Sequence, residues 1–500
     1  MRTRSVVAMI GAAAVAAAGY GGASALAAPP AMPAGKPALA WALPHSAVGR
    51  QVAWLISAVP KAPLPTRELR RHFDKAILHQ APPAQLNKFF ELFPQRVPWR
   101  LVELDAGTAR NRLFFEMTAG TERLAAQMDT TPRGLIRGLG LGVVAPPSGG
   151  PTSWAALDRA AQKLAPDVGF EAATVGADGR CAPLNTLAPT TVRPIASMFK
   201  LYVLGAVADA ISYGRLSWQT KVALTARLRS IPSGSLQIEP PGTRYTVAQL
   251  ADLMISSSDN TAADELAALV GRAAVQAQIR LTSRHASLDV PLLRVRELAA
   301  LKFDNYPHYA DIYLADSPAA RRAYLRTVVD RLPLSAAEPT GADLRDPRDI
   351  DTIEWFASPA DLCAQFSRLY HDAGRPGLAP VSAAASINDG GIGLAKPAWP
   401  LVWFKGGSES GVWTLGYLAR SAAGKVVVAV LELADPDHAI PGHATVRALA
   451  IMHAAVTLAG TPGSATSGSM TPGGRAPRSW SPLMCIPASL CRSFDTARSP

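Results

Sequence analysis

From Pro194 to Ile211 the chain reads PIASMFKLYVLGAVADAI. A helix that is apolar almost all round has to be buried, so this stretch is a core helix of a large domain. Lys200 interrupts it, and Ser197 stands three positions earlier. Positions i and i+3 share a helix face, which lays the amine over the hydroxyl at the first turn. A buried ammonium is costly unless it is paired or its pKa falls. A serine beside a neutral amine is an activated nucleophile. A helix N-terminus also favours the negative charge that develops when a serine attacks an acyl group. Taken alone, the same pair fits a serine near an N-cap with a snorkelling lysine.

Two further motifs follow in order. Ser258-Asp259-Asn260 comes 61 positions after Ser197, linking the apolar stretches TVAQLADLMI and TAADELAALV. Asp259 or Asn260 also reads there as a simple N-cap. Lys405-Gly406-Gly407 ends a strand over 401–404. Residues 413–418 and 425–433 continue an antiparallel meander, and an amphipathic helix over 443–459 closes the unit. A core helix, a helical cluster, an antiparallel sheet and a C-terminal helix make an α/β sandwich.

Together, Ser197-Met198-Phe199-Lys200, Ser258-Asp259-Asn260 and Lys405-Gly406-Gly407 resemble the signatures of the penicillin-recognising serine hydrolases, class A β-lactamases in particular. The resemblance covers about 152–460. It implies a β-lactamase/transpeptidase-type fold and an exported enzyme that forms an acyl-serine on β-lactam, ester or related amide substrates without a cofactor. It further implies that Ser197 is the nucleophile and Lys200 its base, and that Ser258 relays a proton to the leaving group. Asn260 would orient Lys200 and touch substrate. Lys405, with Gly407 and Ser408 beside it, would face the substrate carboxylate. The backbone N–H groups of Ser197 and Ser408 would form the oxyanion hole. A penicillin-fold sensor and a cell-wall DD-peptidase-like enzyme are the alternatives.

The sequence departs from that pattern in two places. Gly406 replaces the usual hydroxyl residue after the strand lysine. No E-x-x-L-N supplies the glutamate that activates the deacylating water. Glu297 is close in sequence, but a helix-start role competes for it. Weak turnover of β-lactams is therefore expected. The segment 302–349, with Tyr306, Tyr309 and Tyr313, is an addition placed to cover the cleft.

Residues 44–144 read as a separate α+β unit. Helices start at Ala47, at Pro65-Thr66 and at Pro82-Pro83, and strands follow over 99–104, 112–117, 123–128 and 135–144. The element order resembles the small steroid-isomerase-like domain that precedes the catalytic domain in some actinobacterial β-lactamase-like proteins, including those of clavulanate-type clusters. Such a shape does not imply isomerase chemistry. Asp105 and Asp129, at strand ends, read as turn residues rather than bases. APPSGGP at 145–151 is a linker.

The ends differ in kind. Arg2 and Arg4, the Ala-rich run 6–18 and Ala25-Leu26-Ala27 read as an export signal over 1–27, cleaved near Ala27 and followed by a linker over 28–43. The expected destination is secretion, the periplasm or the cell wall. The segment 461–500, dense in Gly, Ser, Thr and Pro, reads as a disordered tail. Removing two positive charges at the front and a net three in the tail reduces the formal +12 to +7. What remains is scattered, which argues against nucleic acid and fits a small-molecule substrate near anionic surfaces. Cys181 and Cys363 permit a disulfide without requiring one. His438 and His443 lack the HExxH frame, and no metal-ligand spacing occurs.

Overall fold

The computed structural model describes residues 11–13, 43–80, 82–91, 93, 95–105, 111–120, 122–143, 150–231, 233–333 and 346–461. The expected export segment, the linkers over 28–43 and 145–151, and the tail with Cys485 and Cys491 lie outside the described residues at nearly every position. The exception in the export segment is Gly11–Ala13, which run parallel to Gly140, Leu141 and Gly142. Among the described residues no helix is long and apolar enough to cross a membrane.

The first unit holds α1 (Ala47–Ala58), α2 (Thr66–His72), α3 (Lys75–Gln80) and α4 (Pro83–Phe90). Its strands are β1 (Trp99–Asp105), β2 (Arg112–Ala119), β3 (Glu122–Thr130) and β4 (Ile136–Val143), paired antiparallel in chain order. The sequence reads one helix through Phe73 to Ile77, and the structure has two. Phe73 leaves the helix, bridges Ile136 and buries its ring in the core with Leu55, Phe90, Phe115 and Leu141. Asp129 corrects its turn reading. It is buried inside β3, with Oδ1 2.5 Å from Arg112 Nε.

The second unit is built on a five-stranded antiparallel sheet. Its strands are β5 (Asp167–Val175), β6 (Cys181–Leu187), β7 (Leu401–Glu409), β8 (Val412–Arg420) and β9 (Val426–Ala434), in the order β7-β8-β9-β5-β6. Both faces are covered, so β9 reads VVVAVLELA without apolar/polar alternation. Phe170, Leu431 and Leu433 join the core shared with α5 (Trp154–Ala161) and α15 (Gly442–Gly460). Val428, Val430 and Trp403 join the core on the other face, with residues of α6 (Lys200–Ser212), α7 (Val247–Ser256), α8 (Asn260–Val270) and α9 (Arg272–Thr282). That layer also contains α10 (Val295–Phe303), α11 (His308–Ala315), α12 (Pro318–Thr327), α13 (Pro359–Ala373) and α14 (Ala379–Ser386).

The sandwich agrees with the expected class, but the sequence reading lacks β5 and β6. Cys181 and Cys363 are joined, tying β6 to α13 across 182 positions. Closing so long a loop restricts the unfolded chain by on the order of 5 kcal/mol in the chain-entropy picture.

Candidate active site

Ser197 lies in a 3₁₀ turn, Ala196–Phe199, that runs into α6 at Lys200. The turn is anchored on both sides. Ile195 N donates to Trp355 O at 2.9 Å, and the Trp355 ring stacks on Phe199 at 3.8 Å. Ala196 takes φ +44°, a left-handed conformation that an alanine holds only when its surroundings impose it.

Lys200 is fully buried, as the apolar helix requires. Its Nζ is 3.1 Å from Ser197 Oγ and 3.0 Å from Ser258 Oγ. It also donates to Ser258 O at 2.6 Å and to Asn260 Oδ1 at 2.7 Å. Four oxygens around one amine remove most of its burial cost.

The second motif divides its work between neighbours. Asp259, not Asn260, is the cap: Oδ1 accepts from Ala262 N at 2.9 Å. Its Oδ2 accepts from Ser235 N at 2.6 Å and Leu236 N at 2.9 Å, fixing the segment that flanks the turn. Ser258 itself is held at φ +55°. The sequence reading finds the cap and misses the long-range half of Asp259's role, which only the folded chain brings together.

Lys405 enters from β7. Its Nζ is 3.1 Å from Ser258 Oγ, so both lysines meet on that hydroxyl. Burial, and then the neighbouring Lys200, push the Lys405 amine well below the ordinary lysine range. Two positions on, Gly407 lets the strand lie against the turn that carries Ser197. A Cβ there would come 2.4 Å from Ile195 O and 2.7 Å from the backbone nitrogen of Ser197. Thr414, opposite Gly407 on β8, donates to Ile195 O at 3.1 Å and locks this contact. Sequence reasoning misses Thr414; its only signal is a hydroxyl in the apolar strand VWTLGYLAR. Ser408 follows Gly407 on the same strand.

Glu297 sits in the first turn of α10 with both carboxylate oxygens engaged. Oε2 accepts from Arg294 N at 2.7 Å, and Oε1 is bound by Arg272 Nη2 and by Arg294 Nη2. It is 1 % exposed. This carboxylate caps a helix and pairs two arginines. At the end of the same helix, Lys302 Nζ reaches Glu409 Oε1 at 2.5 Å. The segment beyond it forms α11 and α12, with Arg348 over the Tyr306 ring at 4.5 Å. Tyr313 is buried under Arg321. Among the described residues the grouping at metal-ligand distance is Glu171, Cys181 and Cys363, and both sulfurs are in the disulfide.

Comparison with known proteins bears on both units. Residues 184–302, which include the first two motifs, match the model described as the beta-lactamase enzyme family. The match ends before Lys405, which the fold brings in from β7. Residues 43–136 match a model described as the ORF 12 gene product N-terminal, with no mention of a steroid isomerase. No curated protein matches the chain.

Solved structures similar to this chain include a beta-lactamase from Sphaerobacter thermophilus. It is 20 % identical, covers 62 % of this chain and 98 % of its own, and has a TM-score of 0.43. PBP-A is 17 % identical over 60 % of this chain and 95 % of its own, with a TM-score of 0.41. A point mutant of the last common ancestor of Gram-negative class A β-lactamases is 17 % identical over 61 % and 97 %, with a TM-score of 0.42.

Proposed function

We propose that the protein is a serine hydrolase of the β-lactamase/penicillin-binding type that works through an acyl group on Ser197. One observation carries this reading: Ser197 Oγ, Lys200 Nζ, Ser258 Oγ and Lys405 Nζ form an unbroken chain of contacts of 3.0 to 3.1 Å. Neutral Lys200 takes the proton of Ser197 as Oγ attacks the carbonyl carbon. The backbone N–H groups of Ser197 and Ser408 receive the oxyanion. Ser258 then passes its proton to the leaving nitrogen or oxygen and is reprotonated from Lys200. A substrate carboxylate arriving beside Lys405 favours the protonated form of that amine, so that Lys405 then carries the positive charge and Lys200 is left neutral, oriented by Asn260.

Hydrolysis of the acyl-serine is the weak step. Glu297, a carboxylate that follows the second motif in sequence, has both oxygens committed. β-Lactam adducts are therefore long-lived, and esters, whose leaving groups need less help, are better substrates. The same observation favours a second reading, a sensor acylated once. The resemblance of the N-terminal segment to an export signal supports action outside the cytoplasm.

Intact-mass analysis after mixing with a penicillin, a cephalosporin and a small ester tests the reading. A mass increase equal to the β-lactam, absent in Ser197→Ala, is expected. Slow ester turnover marks the hydrolase, and a single stoichiometric adduct marks the sensor. Unmodified protein with no turnover of any substrate overturns the proposal.

A further inference from the structure

The first unit reaches the catalytic turn with two buried arginines. Arg112, on β2, is 3 % exposed, and its Nη1 lies 3.5 Å from Ser256 Oγ, two residues before Ser258. Its Nε is held by Asp129 at 2.5 Å. Arg137, on β4, is 8 % exposed and forms an ion pair with Glu239.

Ser256 and Glu239 belong to one hydrogen-bonded assembly around Ser258. Asn260 N donates to Ser233 O at 3.0 Å, and Ser233 Oγ to Ser257 O at 3.3 Å. Asp259 holds the amides of Ser235 and Leu236. Asn388 Nδ2 fixes Ser256 O at 2.9 Å from the other side. The segment 233–239 and the turn 256–260 thus brace each other, and each is gripped once from the first unit.

A serine at φ +55° keeps that conformation only if its surroundings over-determine it. We propose that the first unit is a clamp on this turn. Arg112 and Arg137 are positioning residues that hold Ser258 where Lys200 and Lys405 converge on it. The clamp rests on the reading of Ser258 as a proton relay, and it gives the first unit a part in that reaction without chemistry of its own. Arg112 meets the turn through the Ser256 hydroxyl, and Arg137 meets its supporting loop through the Glu239 carboxylate. A displacement of about 1 Å in a catalytic group costs on the order of tenfold to a hundredfold in rate.

The test uses the full chain with Arg112→Ala, Arg112→Lys and Glu239→Gln. Two readouts are taken: amide hydrogen exchange across 253–261, and the rate of labelling by a fluorescent penicillin. Arg112→Ala is expected to speed exchange across 253–261 by about tenfold or more and to slow labelling by a similar factor. Arg112→Lys, which keeps the charge beside Asp129, recovers part of both. Glu239→Gln, which leaves the first unit intact, gives the same pattern to a lesser degree and decides the matter if Arg112→Ala does not fold. Unchanged exchange across 253–261 in the folded variants overturns the clamp. If the wild-type protein takes up no label and turns over no ester, the acyl-serine reading fails, and the exchange measurement still decides the clamp.

Discussion

The ammonium nitrogens of Lys200 and Lys405 approach the same oxygen, Ser258 Oγ, from 3.0 and 3.1 Å. Two full positive charges facing each other across one oxygen in a buried site repel strongly. Lys200 has three other oxygen partners, whereas Lys405 is buried and depressed by its neighbour. Lys200→Met removes one of the two causes acting on Lys405. Its amine should then titrate closer to the ordinary lysine range while burial still holds it below. Side-chain NMR of labelled lysine reads this directly, and an unmoved Lys405 resonance would show that the two amines are not coupled.

Gly407 is a site where one methyl group should separate folding from reactivity. An alanine Cβ would meet Ile195 O and Ser197 N at 2.4 and 2.7 Å, both backbone atoms that cannot step aside. Gly407→Ala should destabilise by about 1–3 kcal/mol through overpacking. It should also lower the acylation rate by at least about a hundredfold, because it pushes the strand away from the nucleophile's amide. Urea melts and adduct formation measured on one sample check both effects. A normal acylation rate would count against the proposed oxyanion geometry.

Glu297 offers a contrast between structural and catalytic acids. Glu297→Gln leaves Arg272 and Arg294 without their shared carboxylate. Breaking a buried pair in this way costs about 3–5 kcal/mol. The lifetime of the acyl-serine should not change. If the variant instead lengthened that lifetime with little loss of stability, the carboxylate would be acting on water after all.

Two buried carboxyls make stability depend on pH in an unusual direction. Asp289 is pushed up to about 8 and Glu171 to about 7, in each case chiefly by burial and then by Asp361. The folded chain therefore binds protons that the unfolded chain has released above about pH 4. Their contribution to stability falls as pH rises from about 4 to about 8 and levels off above that. Asp289→Asn should flatten this slope in denaturant melts taken between about pH 5 and about pH 9. An unchanged slope would mean that Asp289 is ionised in the native state.

Much of the site was legible because burial leaves a sharp mark on sequence. A lysine inside PIASMFKLYVLGAVADAI stands out, and so does the strand LVWF before Lys405, although that strand does not end there but runs through Lys-Gly-Gly to Glu409. In the first unit the strands appear nearly where alternation places them. Less visible were β5 and β6, since CAPLNTL contains a proline and suits only an edge, and DVGFEAATV mixes polar and small residues. Contacts between distant positions were not legible at all. Asp259 with Ser235, Thr414 with Ile195 and Arg112 with Ser256 join segments between 24 and 219 positions apart, and such pairings leave no periodic trace.

β9, from the end of the second unit, pairs with β5, from its beginning. Ser197 and Lys200 are thus made long before the strand that delivers Lys405. A ribosome that has released only the first two motifs carries a half-built cleft that lacks the Lys405 and Gly407 strand. On the proposed reading the cleft is completed only when this strand is made, and a chain cut before Leu401 should form no acyl-serine, whatever its helices do.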